Sequence, residues 1–270
     1  MCGRYTNELE FSQLKLAFEA VDETFRPWTP TFNIAPSAGA GHEQLYVTLG
    51  NSGERALRLG RFWFIPAWWN KPLSNLPTLF NARAEELAQK KTWRPALASS
   101  RCLVPATGWR EFVGNARRKQ PYHFQLEQDA GPPGASSPFA FAGLSSAWRS
   151  PEGELVESFA IITTAPSEQA ARYHDRMPLI LSPELYPAWL DRKGDPTACL
   201  NQATEQATTR PLRIYPTSTA GNNTRFEDRS VIEPISAERV VAAPGPPAEA
   251  TSHPTQLNLP LLRPEATKRS

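Results

Sequence analysis

The sequence predicts an α+β fold, with one strand-rich domain followed by a tail. A chain of 270 residues is long enough for a single large domain with its own core. Short apolar segments recur between glycine- and proline-containing turns, most densely beyond residue 100, which is typical of strands. After about Ala243 the composition shifts to Pro, Ala, Ser and Thr. We therefore predict a domain over residues 2–240 and a disordered tail over residues 243–270.

The N-terminal half is predicted to mix helices with strands. Residues 6–20 form a predicted helix with Thr6 as N-cap, and residues 84–98 form another, which Pro95 interrupts or ends. Residues 26–36 contain three prolines and are expected to run as an extended loop. The predicted strands of this half are residues 46–49 and 57–65.

The C-terminal half is predicted to consist mainly of strands. Residues 167–173 are expected to form one or two helical turns, and Ser182-Pro183 is a strong helix start that continues to residue 190. Cys199 is expected in a loop. The predicted strands are residues 101–105, 122–126, 139–144, 158–163 and 213–215.

Composition excludes several classes of function. A net charge of +2 gives no bulk attraction for nucleic acid, so any anion site must be a local patch. Three cysteines and four histidines show neither metal-ligand spacing nor a disulfide pattern, so we expect no metal, no cofactor and reduced thiols. No apolar run reaches the roughly 18 residues that cross a membrane. We therefore expect a cytoplasmic protein.

Cys2 offers chemistry that no internal cysteine can supply. An initiator methionine before a small residue is normally removed, which would leave Cys2 with a free α-amine beside its thiol. Such a 1,2-aminothiol closes on an aldehyde as a thiazolidine ring. Taken alone, however, position 2 is more simply read as an arbitrary residue in a disordered terminus.

Further polar clusters interrupt apolar segments, and each member also has an ordinary structural reading. Asn81 could cap a helix, Glu111 could be a solvated carboxylate, and His174 could be a structural histidine. Arg83 and Arg176 could be surface charges. Cys102 lies within an apolar strand and is expected to be an inert core thiol.

Together, the clusters resemble the SRAP family, the SOS-response-associated peptidases, also known as abasic-site-processing proteins. The resemblance covers about residues 2–225, with the blocks in the family's order. The matching blocks are MCGRY (1–5), NIAP (33–36), FIPAWW (64–69), NARAE (81–85), RCLVP (101–105), GWREF (108–112), FAIITTA (159–165) and HDRMP (174–178). Thr107 and Phe112 depart from common family residues without touching the reacting groups.

The resemblance implies an irregular barrel-like sheet with flanking helices, and covalent capture of abasic sites in single-stranded DNA. Cys2 would form the crosslink after removal of Met1, by self-processing or by methionine aminopeptidase. Glu111 would act as general acid and then base, Asn81 would position Cys2, and His174 would assist proton transfer. Peptidase and strand-cleaving lyase activities also belong to this expectation.

The resemblance further implies a DNA-binding surface on a monomeric, nucleoid-associated protein. Guanidinium groups suit phosphate, and aromatic rings stack on bases regardless of sequence. Pro36 would flank the pocket and Thr163 would add a hydrogen bond. The phosphate-binding and base-stacking residues would be Arg4, Arg83, Arg176, Trp68 and Trp69.

Other functions stay open at this point. The chain could be a thiol protease or N-terminal-nucleophile hydrolase that uses Cys2, Glu111 and His174. It could equally be a non-covalent single-strand sensor, in which the arginines and tryptophans matter and Cys2 does not. A separate feature lies in the tail, where residues 256–262, from Gln256 to Leu262, read QLNLPLL. This segment resembles the peptide that binds the bacterial sliding clamp, although a chance leucine-rich patch explains it equally well.

Overall fold

Two β-sheets carry the fold, and the computed structural model describes residues 2–37, 39, 42–115, 118–127 and 137–242. The described strands, in chain order, are β1 (Tyr5–Asn7), β2 (Ala20–Asp22), β3 (Thr31–Ile34), β4 (Glu43–Leu49), β5 (Arg55–Phe62), β6 (Asn81–Arg83), β7 (Arg101–Ala106), β8 (Gly108–Asn115), β9 (Arg118–Leu126), β10 (Phe139–Arg149), β11 (Leu155–Thr164), β12 (Met177–Pro178), β13 (Ile180–Leu181) and β14 (Leu212–Pro216). The predicted tail, residues 243–270, lies outside the described residues.

The helices are short and flank the sheets. They are α1 (Phe11–Phe18), α2 (Arg94–Ser99), α3 (Glu168–Ala171), α4 (Tyr186–Leu190) and α5 (Pro196–Thr209). Turns of 3₁₀ helix lie at Leu73–Asn75, Ala84–Glu86, Pro183–Leu185, Thr219–Asn222, Arg229–Val231 and Ala237–Arg239. Among the described residues, no helix has both the length and the apolar character that a membrane crossing requires.

Five strands close into a barrel. β4 pairs with β5 and β7, β7 pairs with β10, and β10 pairs with β11, all antiparallel. A parallel pairing of β11 with β5, with Ser158 opposite Arg61 and Phe159 opposite Phe62, closes the ring. This architecture confirms the predicted strand-rich α+β class with a barrel-like sheet.

The barrel strands are packed too tightly for a side chain at Gly143. A Cβ atom there would lie 2.8 Å from Cys102 Sγ and 2.9 Å from Val104 Cγ2. The same core contains the rings of Phe62 and Phe159, stacked with their centroids 5.4 Å apart. Cys102 is fully buried, and burial raises the pKa of its thiol, as expected for an inert core cysteine.

The second sheet is antiparallel, in the order β14-β9-β8-β1-β3. Trp109 in β8 stacks on Phe124 at 5.0 Å and meets Phe141 of the barrel edge-on at 6.2 Å. Trp109 therefore packs this sheet against the barrel. Since side chains alternate along a strand, Glu111 points to the same, barrel-facing side.

Two predictions about the N-terminal half are wrong. Thr6 lies in β1 rather than at a helix N-cap, and α1 begins only at Phe11, after a reciprocal capping box between Glu10 and Gln13. The proline-rich residues 26–36 contain strand β3 as well as loop. Strands of three or four residues are too short to show a periodic pattern, which explains both errors.

Two later predictions also need correction. Residues 84–98 form a 3₁₀ turn and the short helix α2 rather than one long helix. Cys199 lies in helix α5, which Asp195 caps by accepting the Thr197 N–H, and not in a loop. The outer face of α5 is rich in Gln, Glu and Thr, so its apolar stripe is narrow and was missed.

Candidate active site and nucleic-acid interface

Cys2 lies where the two sheets meet, and it is only 3% exposed. Its Sγ donates to the Arg176 carbonyl at 3.7 Å, and its own carbonyl accepts Asn81 Nδ2 at 3.3 Å. The arm that carries Cys2 continues directly into β1, which pairs with β8 through Tyr5 and Trp109. The short distance along the chain from this pairing fixes Cys2 beside the Glu111 side chain.

Glu111 is a buried carboxyl that favours its protonated form. It stands opposite Tyr122 in the β8–β9 ladder, is 3% exposed, and its Oε1 has no hydrogen-bond partner among the described residues. Burial raises the pKa of Glu111 from 4.5 to about 8, and the interaction with the Cys2 side chain offsets part of that increase. At neutral pH this residue is therefore mostly a neutral acid, able to donate a proton.

The Cys2 thiol is also neutral. Burial, together with the adjacent Glu111 carboxyl, raises the pKa of Cys2 well above the ordinary value for cysteine. A thiol of this kind reacts only when a base removes its proton. Glu111 is the nearby group that becomes such a base once it has given up its own proton.

His174 borders the site and has a side chain that is 24% exposed. Its Nδ1 accepts the Arg176 backbone N–H at 3.0 Å and lies 2.8 Å from Asp175 Oδ1. These contacts require opposite protonation states of Nδ1. Burial lowers the pKa of His174, so the neutral ring that accepts from Arg176 prevails at neutral pH, and a protonated ring would turn its charge to Asp175.

Asn81 ties the barrel to the N-terminal arm. It begins β6, which runs parallel to β11 with Asn81 opposite Ile161. Besides the Cys2 carbonyl, its Nδ2 contacts the carbonyls of Phe80 at 3.2 Å and Ile161 at 3.5 Å. Its Oδ1 is buried and has no partner within the described part of the chain, so this oxygen can accept a hydrogen bond from an amine or a sugar hydroxyl.

The Arg176 guanidinium is already engaged. It donates to both carboxylate oxygens of Glu85, at 2.7 and 2.9 Å, and its Nη2 also donates to the Thr163 carbonyl at 2.8 Å. The side chain of Arg176 is only 10% exposed. Thr163 itself is 2% exposed at the end of β11, where its carbonyl, rather than a free hydroxyl, makes the main contact.

Arg4 contacts the chain's own C-terminal segment. Its Nη1 donates to Asn33 Oδ1 at 2.6 Å and to the Gly221 carbonyl at 2.9 Å, and its Nη2 donates to the Asn222 carbonyl at 3.2 Å. Asn33 Oδ1 also accepts from the fully buried Arg110. The predicted phosphate-binding role of Arg4 thus coexists with a structural one.

The remaining predicted DNA contacts are more open. The side chain of Arg83 is 60% exposed and lies 3.6 Å from Glu86, while Trp68 is 56% exposed. The rings of Trp68 and Trp69 lie 6.2 Å apart and are tilted by 51°. Pro36 is half-buried just after β3. An exposed guanidinium and an exposed indole suit a polyanion with unstacked bases.

The family model described as SOS response associated peptidase (SRAP) matches residues 1–224. The chain belongs to the SRAP family. Abasic site processing protein YoqW of Bacillus subtilis is 33% identical over 238 residues, which cover 86% of this chain and 99% of YoqW. Abasic site processing protein YobE of the same organism is 36% identical over 199 residues, which cover 72% and 84% respectively.

The SRAP fold is also found in a crystal structure of a Bacteroides thetaiotaomicron protein. The two structures have a TM-score of 0.68 at 19% identity, covering 86% of this chain and 100% of that one. At this identity the likeness establishes the shared fold alone. It agrees with the strand-rich barrel described above.

Within this SRAP site, the structure brings Cys2, Asn81, Glu111 and His174 to one place from four separate segments. Sequence reasoning missed the partners that hold these segments, including Glu85, whose ion pair with Arg176 the sequence does not indicate. It also missed the contact of Asn33 with Arg110, across 77 positions, and that of Trp148, whose Nε1 donates to the Trp69 carbonyl across 79 positions. No cluster of three metal-binding side chains is found among the described residues.

Proposed function

We propose that this protein processes abasic sites in single-stranded DNA and captures them covalently through Cys2. The names of the relatives support the substrate, because YoqW and YobE are both abasic site processing proteins. The observation that carries the chemistry is the protonated Glu111 carboxyl buried beside Cys2. An abasic sugar needs such an acid, because its closed ring must open before its aldehyde can react.

The first step opens the sugar. Glu111 donates its proton to the ring oxygen as the C1′–O4′ bond breaks, and the C1′ hydroxyl passes its proton to solvent as it becomes the aldehyde. Proton transfer is most efficient when the pKa of the donor lies near the working pH, and the pKa of Glu111 is about 8. The carboxylate that remains is then available as a base.

The second step joins Cys2 to C1′. Its free amine attacks the aldehyde, water leaves, and a Schiff base forms; a terminal amine with a pKa of about 8 is a fair nucleophile near neutral pH. The Glu111 carboxylate then takes the thiol proton, sulfur adds to C1′, and Glu111 returns the proton to the nitrogen. The balance is one aldehyde plus one aminothiol, giving one thiazolidine and one water.

This chemistry requires the removal of Met1, because a peptide bond otherwise ties up the Cys2 amine. The removal is the peptidase activity of our proposal if the chain processes itself, and it is incidental if methionine aminopeptidase acts. Asn81 orients Cys2 through its carbonyl and offers Oδ1 to the amine. His174, neutral and at the border of the site, exchanges protons with the sugar and with solvent.

DNA binding relies on residues beside the site, of which Trp68 and Arg83 are the exposed ones. Trp68 and Trp69 stack on bases, and such stacking stabilises binding by about 1–3 kcal/mol per base. Arg83 and Arg4 bind phosphates, with Arg176, Thr163 and Pro36 lining the entry. The Schiff base also allows loss of the C2′ proton and departure of the 3′ phosphate, which is the lyase activity that we propose competes with closure by the thiol.

A denaturing gel tests the proposal. The full chain, with its N-terminus confirmed by mass spectrometry, is incubated with a single-stranded oligonucleotide that carries one abasic site. We expect a slower band that disappears in Cys2→Ala and persists in the matched variant Cys102→Ala, since both thiols are buried. Extending the N-terminus by one residue should also abolish the band while the thiol remains intact.

The other outcomes identify the alternative functions. No adduct despite a free Cys2 terminus contradicts covalent capture. Equal DNA binding by the parent chain and Cys2→Ala, without a crosslink, indicates a non-covalent sensor. Cleavage of protein substrates that needs Cys2 but involves no DNA adduct indicates a thiol peptidase.

The tail carries a separate proposal. We propose that residues 256–262, which lie outside the described residues, dock the domain of residues 2–240 to the replication sliding clamp. The chain would then work as a monomer at the nucleoid, where abasic sites arise in single strands. A pull-down with purified clamp, using the full chain and a variant that lacks residues 255–263, tests this; no binding by the full chain ends it.

A further inference from the structure

The backbone of Arg176 contacts both the thiol and the imidazole of the site. Its carbonyl accepts a hydrogen bond from Cys2 Sγ at 3.7 Å, and its N–H donates a hydrogen bond to His174 Nδ1 at 3.0 Å. Any shift of this single residue therefore moves both groups. What holds Arg176 in place is decisive for the geometry of the site.

The side chain of Arg176 is anchored by a two-pronged ion pair. Nη1 and Nη2 donate to the two oxygens of Glu85 at 2.7 and 2.9 Å, and Nη2 also donates to the Thr163 carbonyl at 2.8 Å. Glu85 lies in the 3₁₀ turn that follows β6, the strand that begins with Asn81. The ion pair thus links the His174–Arg176 segment to the element that orients the Cys2 carbonyl.

The same geometry leaves little of Arg176 for phosphate. Three of its five N–H groups are used, the side chain is 10% exposed, and Nε is buried with no partner among the described residues. Arg83, two residues before Glu85, is 60% exposed and remains open to a phosphate. Burial acts to raise the pKa of Glu85, but the hydrogen bonds and charge of Arg176 outweigh it and lower that pKa, which keeps the carboxylate ionised.

We propose that Glu85 is a positioning residue, which holds Arg176 so that the Arg176 backbone fixes the Cys2 thiol and the His174 ring. This inference rests on the proposed crosslinking function and adds residues through which it works. In it, Arg176 contributes through its backbone and its ion pair more than through contact with DNA.

Two measurements separate positioning from DNA binding. The first is the crosslinking rate constant at saturating abasic single-stranded DNA, for the parent chain, Glu85→Gln, Arg176→Lys and the double variant. The second is the Kd for the same DNA in a Cys2→Ala background, where no bond forms. The matched control is Glu23→Gln, because Glu23 accepts a comparable ion pair from Arg58 away from the site.

We expect each single variant to lower the rate constant about tenfold to a hundredfold, as displacements of about 1 Å in an active site do. The double variant should be no slower than the single variants, because both remove one interaction. The Kd should change less than threefold, and Glu23→Gln should crosslink at the parent rate. The ring resonances of His174 should shift in Glu85→Gln and stay unchanged in Glu23→Gln, a readout that needs no crosslinking.

An unchanged rate in Glu85→Gln, or unchanged His174 resonances, would overturn the inference. Tighter DNA binding by Glu85→Gln would also overturn it, since Glu85 would then be a competitor of phosphate for Arg176. If Glu85→Gln folds poorly, Arg176→Lys decides the matter in the same assays. Failure of the parent chain to crosslink would instead reject the proposed function, and the His174 resonances would still report on positioning.

Discussion

Replacing Glu111 with glutamine should stabilise the protein progressively, relative to the parent chain, as the pH rises from 5 to 8. In the folded state the pKa of Glu111 is about 8, against 4.5 for the ordinary carboxyl. The folded state therefore holds a proton that the unfolded chain releases. Below pH 4.5 the carboxyl is protonated in both states, so it does not change the free energy of unfolding. Above pH 4.5 that free energy falls with each pH unit, until the folded carboxyl ionises near pH 8.

The magnitude follows from that pKa difference. Each pH unit in this window is equivalent to about 1.4 kcal/mol. Between pH 5 and pH 8, the free energy of unfolding of the parent chain should fall by about 3–4 kcal/mol through this one group. Glutamine does not titrate, so it removes that slope. A buried amide can add a constant penalty, of about 1–3 kcal/mol, which does not depend on pH.

Urea unfolding followed by tryptophan fluorescence measures the effect, because the chain has eight tryptophans. Unfolding free energies of both proteins are determined at pH 5, 6, 7 and 8. Glu85→Gln is the matched control, because its effect on the unfolding free energy should have the opposite sign. The pKa of Glu85 is lowered, so its carboxylate stabilises the folded state above pH 4.5. Loss of that carboxylate should therefore destabilise the protein at neutral pH. A difference between Glu111→Gln and the parent that stays constant from pH 5 to 8 would refute the reasoning.

Three more outcomes are expected. Trp68→Ala should leave thermal stability within about 0.5 kcal/mol of the parent, because the ring is 56% exposed, yet weaken single-stranded DNA binding by about 1–3 kcal/mol in a fluorescence titration. Gly221→Ala should lower the unfolding free energy by more than about 1 kcal/mol, because the new Cβ would clash with Nη1 of the fully buried Arg110; an unchanged urea midpoint would contradict this. Trp148→Phe loses the 2.7 Å hydrogen bond to the Trp69 carbonyl. Protease cleavage in the segment around Trp69, between β5 and β6, should therefore accelerate while cleavage elsewhere does not.

The barrel strands could be predicted from sequence, but the closure of the barrel could not. Residues 139–144 and 158–163 are apolar runs bounded by turn signals, and they form parts of β10 and β11. The pairing that closes the ring joins Phe62 to Phe159, almost a hundred residues further along the chain. Such contacts depend on tertiary packing and leave no local pattern.

The candidate site also has parts that could be predicted from sequence and parts that could not. Its candidate residues were proposed because blocks such as NARAE and GWREF resemble a known family. Their supporting contacts were not, since Arg176 meets Glu85 across 91 positions and Trp148 meets Trp69 across 79. The exposure of a side chain also could not be predicted from sequence. Arg83 and Arg176 were both proposed to bind phosphate, but Arg83 is exposed, whereas Arg176 is largely buried in an ion pair.

The burial of Glu111 bears on how the mature terminus is kept reactive. In the proposed mature form, which lacks Met1, the Cys2 amine would stand near this carboxyl, and one proton could lie on either group. Two ions would attract each other, but removing both from water is costly, and burial already raises the pKa of Glu111 to about 8. The dry site therefore shifts the balance toward the neutral pair, a carboxylic acid and a free amine. In the function that we propose, that pair opens the sugar and attacks its aldehyde, so a polar residue that admits water beside Glu111 should slow crosslinking even if every proposed reacting group is retained.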